Sequence, residues 1–186
     1  MTHFSMETIA LHQAEGSPGF AEDREIARRC ASGDERAFRE VFEAHEPRLR
    51  MLIYRNLGSK EDAEELVATT FLRFWRSARQ YRGASSLKSY LTTIALNLCR
   101  DTIRKRRPIQ QPDVSPVCDE HPLADKIRMG LLELETEDRE LLSLYYLEDW
   151  DYAEMCASLG ISYDVLRTRL VRARKKLRSI VENSND

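Results

Sequence analysis

Between Pro108 and Pro122 the chain places four prolines in fifteen residues, and this run restricts the fold more than any other feature. Proline fixes φ and has no amide hydrogen, so neither a regular helix nor an interior strand passes through such a stretch. On both sides of it apolar residues recur every three or four positions, the period of an amphipathic helix. The expected architecture is therefore all-α: two small helical domains, residues 23–107 and 123–182, joined by a proline-containing linker over 108–122. Residues 1–22 hold Gly16, Pro18 and Gly19 without apolar periodicity and read as a flexible acidic tail, with a short flexible end at 183–186. With 186 residues, 42% of them hydrophobic and 32% charged, the chain has material for two cores, each of them small.

The clearest helix carries Ala63, Leu66, Val67, Thr70, Phe71, Phe74 and Trp75 on one stripe, opened by Ser59 and Asp62 as a capping box. Before it, a short helix through Ile26, Ala27 and Cys30 should stop at Gly33. Asp34 can then cap a helix with Ala37, Phe38, Val41 and Phe42 inward. Pro47 is expected to kink or divide that helix before the series resumes at Leu49, Leu52, Ile53 and Leu57 and stops at Gly58. Ser86 can cap a helix with Leu87, Leu91, Ile94, Ala95 and Leu98 inward, which runs into Arg104–Lys105–Arg106–Arg107 and ends at Pro108.

Beyond the linker, one helix carries Ile127, Leu131 and Leu134, and another, with Thr136 as its cap, carries Leu141, Leu144 and Tyr145. Asp151 and Glu154 form a second capping box ahead of Ala153, Cys156 and Leu159. Gly160 is placed for the left-handed turn, and Ser162 caps a longer helix with Leu166, Leu170, Ala173 and Leu177 inward. That is helix-turn-helix spacing.

The formal net charge of −2 conceals a segregation. Residues 1–23 hold four acids and no base; residues 24–107 hold 19 bases and 11 acids. Residues 123–154 hold 3 bases and 10 acids, whereas 162–178 hold 7 bases and one acid. Two basic surfaces separated by acidic stretches suit a chain that meets polyanion in two places, although Arg-rich solvated helix faces give the same count. A helix entering the major groove N-terminus first could present Tyr163, Asp164, Arg167 and Thr168 to base edges, with Arg169, Arg172, Arg174 and Lys175 beside the phosphates. Tyr81 and Tyr90, next to Arg82, could stack unpaired bases, while Phe71, Phe74 and Trp75 read first as core.

Other chemistry finds little footing. There is no phosphate-binding glycine loop, no HExxH and no GxSxG, so no enzyme and no cofactor or metal is indicated. Cys118 and His121 share CxxH spacing without a second pair, and Cys30, Cys99 and Cys156 read as small core hydrophobes, so reduced thiols are expected. No apolar run approaches the length of a membrane span, and the first 23 residues have no basic n-region, which implies a cytoplasmic protein.

In order and spacing, GDERAF (33–38), DAEELVATTFLRFW (62–75), SYLTTIALNLCRDTIRKRR (89–107) and the segment 131–178, ending in RARKKLR, resemble the bacterial sigma factors of the extracytoplasmic-function (ECF) type, which keep regions 2 and 4 of the sigma-70 family. The resemblance implies a non-catalytic subunit that brings core RNA polymerase to promoters, with region 2 over 23–107 and region 4 over 123–182. It implies a contact with the polymerase clamp through Asp62, Glu65, Leu66, Thr69, Arg73 and Arg76. It implies reading and melting of the −10 element by Tyr81, Arg82, Ser85, Ser86, Lys88, Tyr90, Asn97, Arg100, Asp101 and Arg104. It assigns the duplex −35 element to Ser162, Tyr163, Asp164, Arg167, Thr168, Arg169, Arg172, Arg174 and Lys175, and adds the polymerase flap and an anti-sigma factor as partners. Ala68, Tyr90, Glu135 and Met155–Cys156 depart from the usual residues Gln, Trp, Pro and Ile-Ala. Two other readings stay open on residues alone: a dimeric helix-turn-helix regulator acting without polymerase, and a sigma-like protein that docks on polymerase without opening promoters.

Overall fold

A computed structural model describes residues 20–105, 122–146, 148 and 150–183. The expected tail up to residue 19, Arg106 and Arg107, the linker with Cys118 and His121, and residues 184–186 lie outside the described residues. Among the described residues the regular elements are all helical: α1 (Ala21–Ala31), α2 (Glu35–Leu57), α3 (Lys60–Ser77), a single 3₁₀ turn (Ala78–Gln80), α4 (Leu87–Lys105), α5 (Pro122–Glu133), α6 (Thr136–Tyr146), α7 (Tyr152–Leu159) and α8 (Tyr163–Asn183).

Local chemistry sets most of these boundaries. The Asp34 carboxylate accepts from the amides of Arg36 and Ala37 at 2.9 and 3.0 Å, and the Ser59 hydroxyl accepts from Asp62 N at 3.1 Å, each satisfying amides that a helix start leaves free. At α7 the capping box closes in both directions: Glu154 N donates to Asp151 and Asp151 N donates to Glu154, at 2.8 and 3.2 Å. Asp151→Ala should remove about 1 kcal/mol of stability, read as a lower urea midpoint with an unchanged slope. Thr136 is the first residue of α6 rather than its cap.

Two departures from the sequence reading have physical causes. α2 runs unbroken through Pro47. Pro47 lies on the exposed face, so water can take the carbonyl it leaves unbonded, while buried Val41, Leu49 and Ile53 hold both halves against one core. The start of α4 is satisfied from a distance as well as by Ser86, since the Asp23 carboxylate in α1 accepts from Leu87 N at 2.7 Å. Next to it the Arg24 stem covers Gly83, where φ is +70° and a Cβ would lie 2.7 Å from Arg24 Cγ; only glycine permits both the backbone and the contact.

One core is built from α1–α4 around Ile53, Phe71, Phe74, Leu91 and Ala95. The second, around Leu144, Met155, Leu166 and Leu170, is built from α5–α8 but also takes in Leu52 of α2 and Leu96 of α4. The two domains are thus not merely tethered by a linker: they lie directly against each other. α4 is buried on two sides, and its Ser89, Thr92 and Cys99, outside the expected stripe, are covered too.

Candidate nucleic-acid interface

α7, the turn at Gly160 (φ +64°) and α8 form the helix-turn-helix. Leu166, Leu170 and Ala173 are fully buried, which fixes the roll of α8 and turns Tyr163, Asp164, Arg167, Thr168 and Lys175 outward. Ser162 starts it, with a long 3.5 Å bond from Val165 N. The remaining basic residues of the expected set are more constrained than their spacing suggests. Arg169 is half-buried. The Arg174 guanidinium lies 5.2 and 5.3 Å from the ring centres of Tyr145 and Tyr146, so it braces α8 on α6 by cation–π contact. Arg172 stays exposed 3.7 Å from the Asp138 carboxylate. Asp138 also accepts from Lys176 at 2.6 Å, and that hydrogen bond raises the lysine pKa.

The loop and helix expected at the −10 element show a sharper contrast. Tyr81, expected in an open polar loop, is only 8% exposed; its hydroxyl donates to Ser85 O at 2.6 Å and its ring lies 5.3 Å from that of Tyr90. Burial raises its phenol pKa. It shapes the loop from inside rather than offering a free ring, because Tyr90 packs against it and α1 holds its loop through Asp23 on Leu87 N and Arg24 on Gly83, which no local pattern announces. Tyr90 in turn donates to the Ser77 hydroxyl at 3.0 Å, and Ser86 accepts from Ser89 N at 3.1 Å. Arg82 and Arg104 are exposed, and Arg104 pairs with Asp101.

Lys88 and Arg100 are half-buried and reach the second domain, and Arg100 also holds Asn97. Arg100 Nε lies 2.9 Å from both Glu140 oxygens and its Nη1 donates to Asn97 at 3.0 Å, while Lys88 Nζ donates to the Glu148 carbonyl. Burial raises the Glu140 pKa, and the bond from Arg100 opposes that rise.

On α3, Glu65, Arg73 and Arg76 point outward, Asp62 and Thr69 are half-buried, and Leu66 belongs to the core. Leu66 was expected at a polymerase contact, but it occupies the same stripe as Val67 and Phe71, which the α2 side chains cover. The surface presents Ala68 and Leu72 instead. Together with Phe38, Phe42, Phe71, Trp75 and a rim at Glu35 they line an apolar groove of about 430 Å³, where Leu72 is 47% and Phe42 37% exposed. The groove is stiff, since Phe38 meets Trp75 edge-on at 5.0 Å and Phe42 sits 4.7 Å from Phe71. The i, i+4 pair Ala68–Leu72 on the otherwise polar face of α3 was the available sequence signal. Cys30 and Cys99 are buried thiols whose pKa values burial raises, that of Cys99 to about 12, which leaves them protonated and unreactive. Among the described residues no group of three or more His, Cys, Asp or Glu side chains could hold a metal ion, and no helix is long and apolar enough to cross a membrane.

The fold defines an all-helical class of two domains, the second built on a helix-turn-helix whose last helix exposes a basic face. Comparison with known proteins identifies the family. The model described as Sigma-70 region 2 matches residues 41–109, and that described as Sigma-70, region 4 matches residues 124–177. The ECF RNA polymerase sigma factor SigE of Mycolicibacterium smegmatis is 29% identical over 165 residues, covering 80% of this chain and 64% of that protein. RNA polymerase sigma factor CarQ of Myxococcus xanthus is 29% identical over 163 residues, covering 82% of this chain and 94% of that one. Among solved structures, CnrH in complex with the cytosolic domain of CnrY superposes with a TM-score of 0.70 at 26% identity, over 87% of this chain and 97% of CnrH. Sigma factor RpoE of Bartonella quintana, bound to the anti-sigma factor NepR, shares the fold at a TM-score of 0.69 and 23% identity, over 78% of this chain and 96% of that one. This chain belongs to the sigma-70 family, as a sigma factor of the ECF type with regions 2 and 4.

Proposed function

We propose that this sigma factor binds core RNA polymerase in the cytoplasm, acts there as a non-catalytic subunit, and selects promoters through two separate DNA contacts. Residues 123–182 read the −35 element as duplex through the exposed face of α8, with Tyr163, Asp164, Arg167 and Thr168 at base edges and Arg172 and Lys175 toward phosphate. Residues 23–107 hold the melted −10 element with the loop at Arg82–Ser86 and the outer face of α4. Polymerase docks on α3 around Glu65, Thr69, Arg73 and Arg76 and the neighbouring Ala68–Leu72 groove, and the flap meets the second domain. An anti-sigma factor is the natural antagonist, in keeping with the partner-bound states of CnrH and RpoE. The observation that carries this reading is the order of the two family matches, region 2 before region 4, with the exposed arginine face of α8 in the second.

Run-off transcription with purified core polymerase on genomic promoter fragments tests it. Transcripts that depend on the protein and share two upstream elements are the expected result. Core binding without new transcripts would instead favour a sigma-like regulator. Arg167→Ala should reduce discrimination at one −35 position by about 1–3 kcal/mol. A uniform loss across promoter variants with a shallower salt slope would place Arg167 on phosphate instead.

A further inference from the structure

We propose that α1 braces the loop at Arg82–Ser86, and that Asp23 is a positioning residue for the −10 strand although it touches no DNA itself. This inference rests on the promoter reading above for what the loop meets.

α1 lies ahead of residues 41–109, the stretch that matches region 2, so the match gives it no task. It nevertheless follows the loop from entrance to exit. At the entrance, Arg79 of the 3₁₀ turn donates to Ala31 O at 3.5 Å, and Ala27 and Cys30 share one core with Ala78 and Tyr81. In the middle, the Arg24 stem covers Gly83 so closely that a Cβ there would lie 2.7 Å from Arg24 Cγ. At the exit, the Asp23 carboxylate accepts from Leu87 N at 2.7 Å.

A helix start leaves its first amides without partners. In α4 the Ser86 hydroxyl takes Ser89 N at 3.1 Å, an ordinary local cap. Leu87 N goes instead to a side chain 64 residues earlier in the chain. Leu87 is the first residue of α4, so holding its amide fixes where the loop ends and how it leaves the helix. The bond from the Tyr81 hydroxyl to Ser85 O ties the loop only to itself; its placement on the domain comes from α1. A loop already held in place loses less freedom when it takes up an unstacked strand, and that saving appears as tighter binding.

Charge and positioning predict opposite signs for Asp23. A carboxylate beside a polyanion repels it, so if Asp23 matters only as a charge, Asp23→Ala improves promoter opening. If it positions the loop, Asp23→Ala weakens opening, whereas Asp23→Asn, which keeps an acceptor oxygen and loses the charge, opens promoters at least as well as wild type. The experiment uses holoenzyme assembled from the full chain and core polymerase, at one fixed salt concentration, on the promoter fragment most active in run-off transcription. Permanganate reactivity of −10 thymines reports opening, and footprinting reports the −35 contact. Core affinity, melting temperature and amide exchange over residues 82–90 are recorded for each variant. Asp23→Ala is expected to lower −10 reactivity about fivefold, the factor by which one lost cap bond shifts the ordered loop. Faster exchange over 82–90 should accompany it, with core affinity and −35 protection unchanged. Asp23→Ser, whose hydroxyl is too short to reach Leu87 N, serves if Asp23→Ala does not fold.

Unchanged or stronger −10 reactivity in Asp23→Ala, with wild type opening the promoter normally, overturns the brace and leaves the promoter reading intact. Equal losses in Asp23→Ala and Asp23→Asn overturn it as well, since the bond is then not the cause, and so does a matching loss of −35 protection or core affinity. Absence of any opening by wild-type holoenzyme removes the promoter reading, and with it the use assigned to the brace.

Discussion

Arg139→Met is expected to lower stability by about 3–5 kcal/mol, as for other buried charged groups whose partners are stranded, and to reduce Tm by roughly 10 °C for a chain of this size. Arg139 is 8% exposed and works as a four-way connector. Its Nε donates to Leu131 O at 2.7 Å and its Nη2 to Leu132 O and Leu134 O at 2.7 and 2.9 Å, so one side chain satisfies the carbonyls that the end of α5 leaves free. Its Nη1 reaches across to Asn56 O near the end of α2. Burial lowers the Arg139 pKa, opposed by the charge of Glu140, and the guanidinium keeps its charge. Methionine fills the space and makes none of these bonds. Arg139→Lys keeps the charge but not the planar fork, and should recover less than half of the loss. Urea denaturation followed by helical signal decides the point; a loss below about 1 kcal/mol for Arg139→Met would mean that water replaces the guanidinium at all four carbonyls.

Leu72→Asp is expected to weaken binding to core polymerase by about 30-fold or more, the scale of a central interface residue worth about 2 kcal/mol, while leaving Tm within a few degrees of wild type. The separation of the two effects comes from exposure. Leu72 is 47% exposed, so a polar group there still reaches water in the free protein, yet it lines the groove with Phe38, Phe42, Ala68 and Trp75, where a carboxylate would be dehydrated by any partner that fills it. Leu66→Asp, less than two turns earlier on the same helix, should instead unfold the domain, because Leu66 is core. Binding of labelled core polymerase, with thermal melts of the free variants, distinguishes them; normal core affinity for Leu72→Asp would place the docking surface elsewhere.

Much of the helical layout was legible in order along the chain because its causes are local. The Asp34 cap, the Asp151–Glu154 box and the left-handed Gly160 each bond or turn within a few residues, and the α3 stripe from Ala63 to Phe74 is a period that any helix must bury somewhere. The outward face of α8 was equally legible, since buried Leu166, Leu170 and Ala173 leave Arg167 and Thr168 no direction but outward. Legibility failed where a residue answers to something distant. Pro47 forecast a broken helix, but the core on both sides of it holds α2 continuous. Tyr81 forecast an open ring, but α1 closes over its loop. Leu66, which its stripe places inward, was also given a polymerase contact by the family resemblance; the structure keeps it in the core, and Leu72 stands at the surface.

The sequence by itself determined the helices, the helix-turn-helix and the family, because each depends on spacing within a few turns or on motifs in order. The tertiary structure alone decided which charges meet. Arg100 and Glu140 are forty residues apart and Arg48 and Glu148 a hundred; a carboxylate's partner is chosen by proximity in space and by the cost of leaving it dry, and neither quantity is written along the chain.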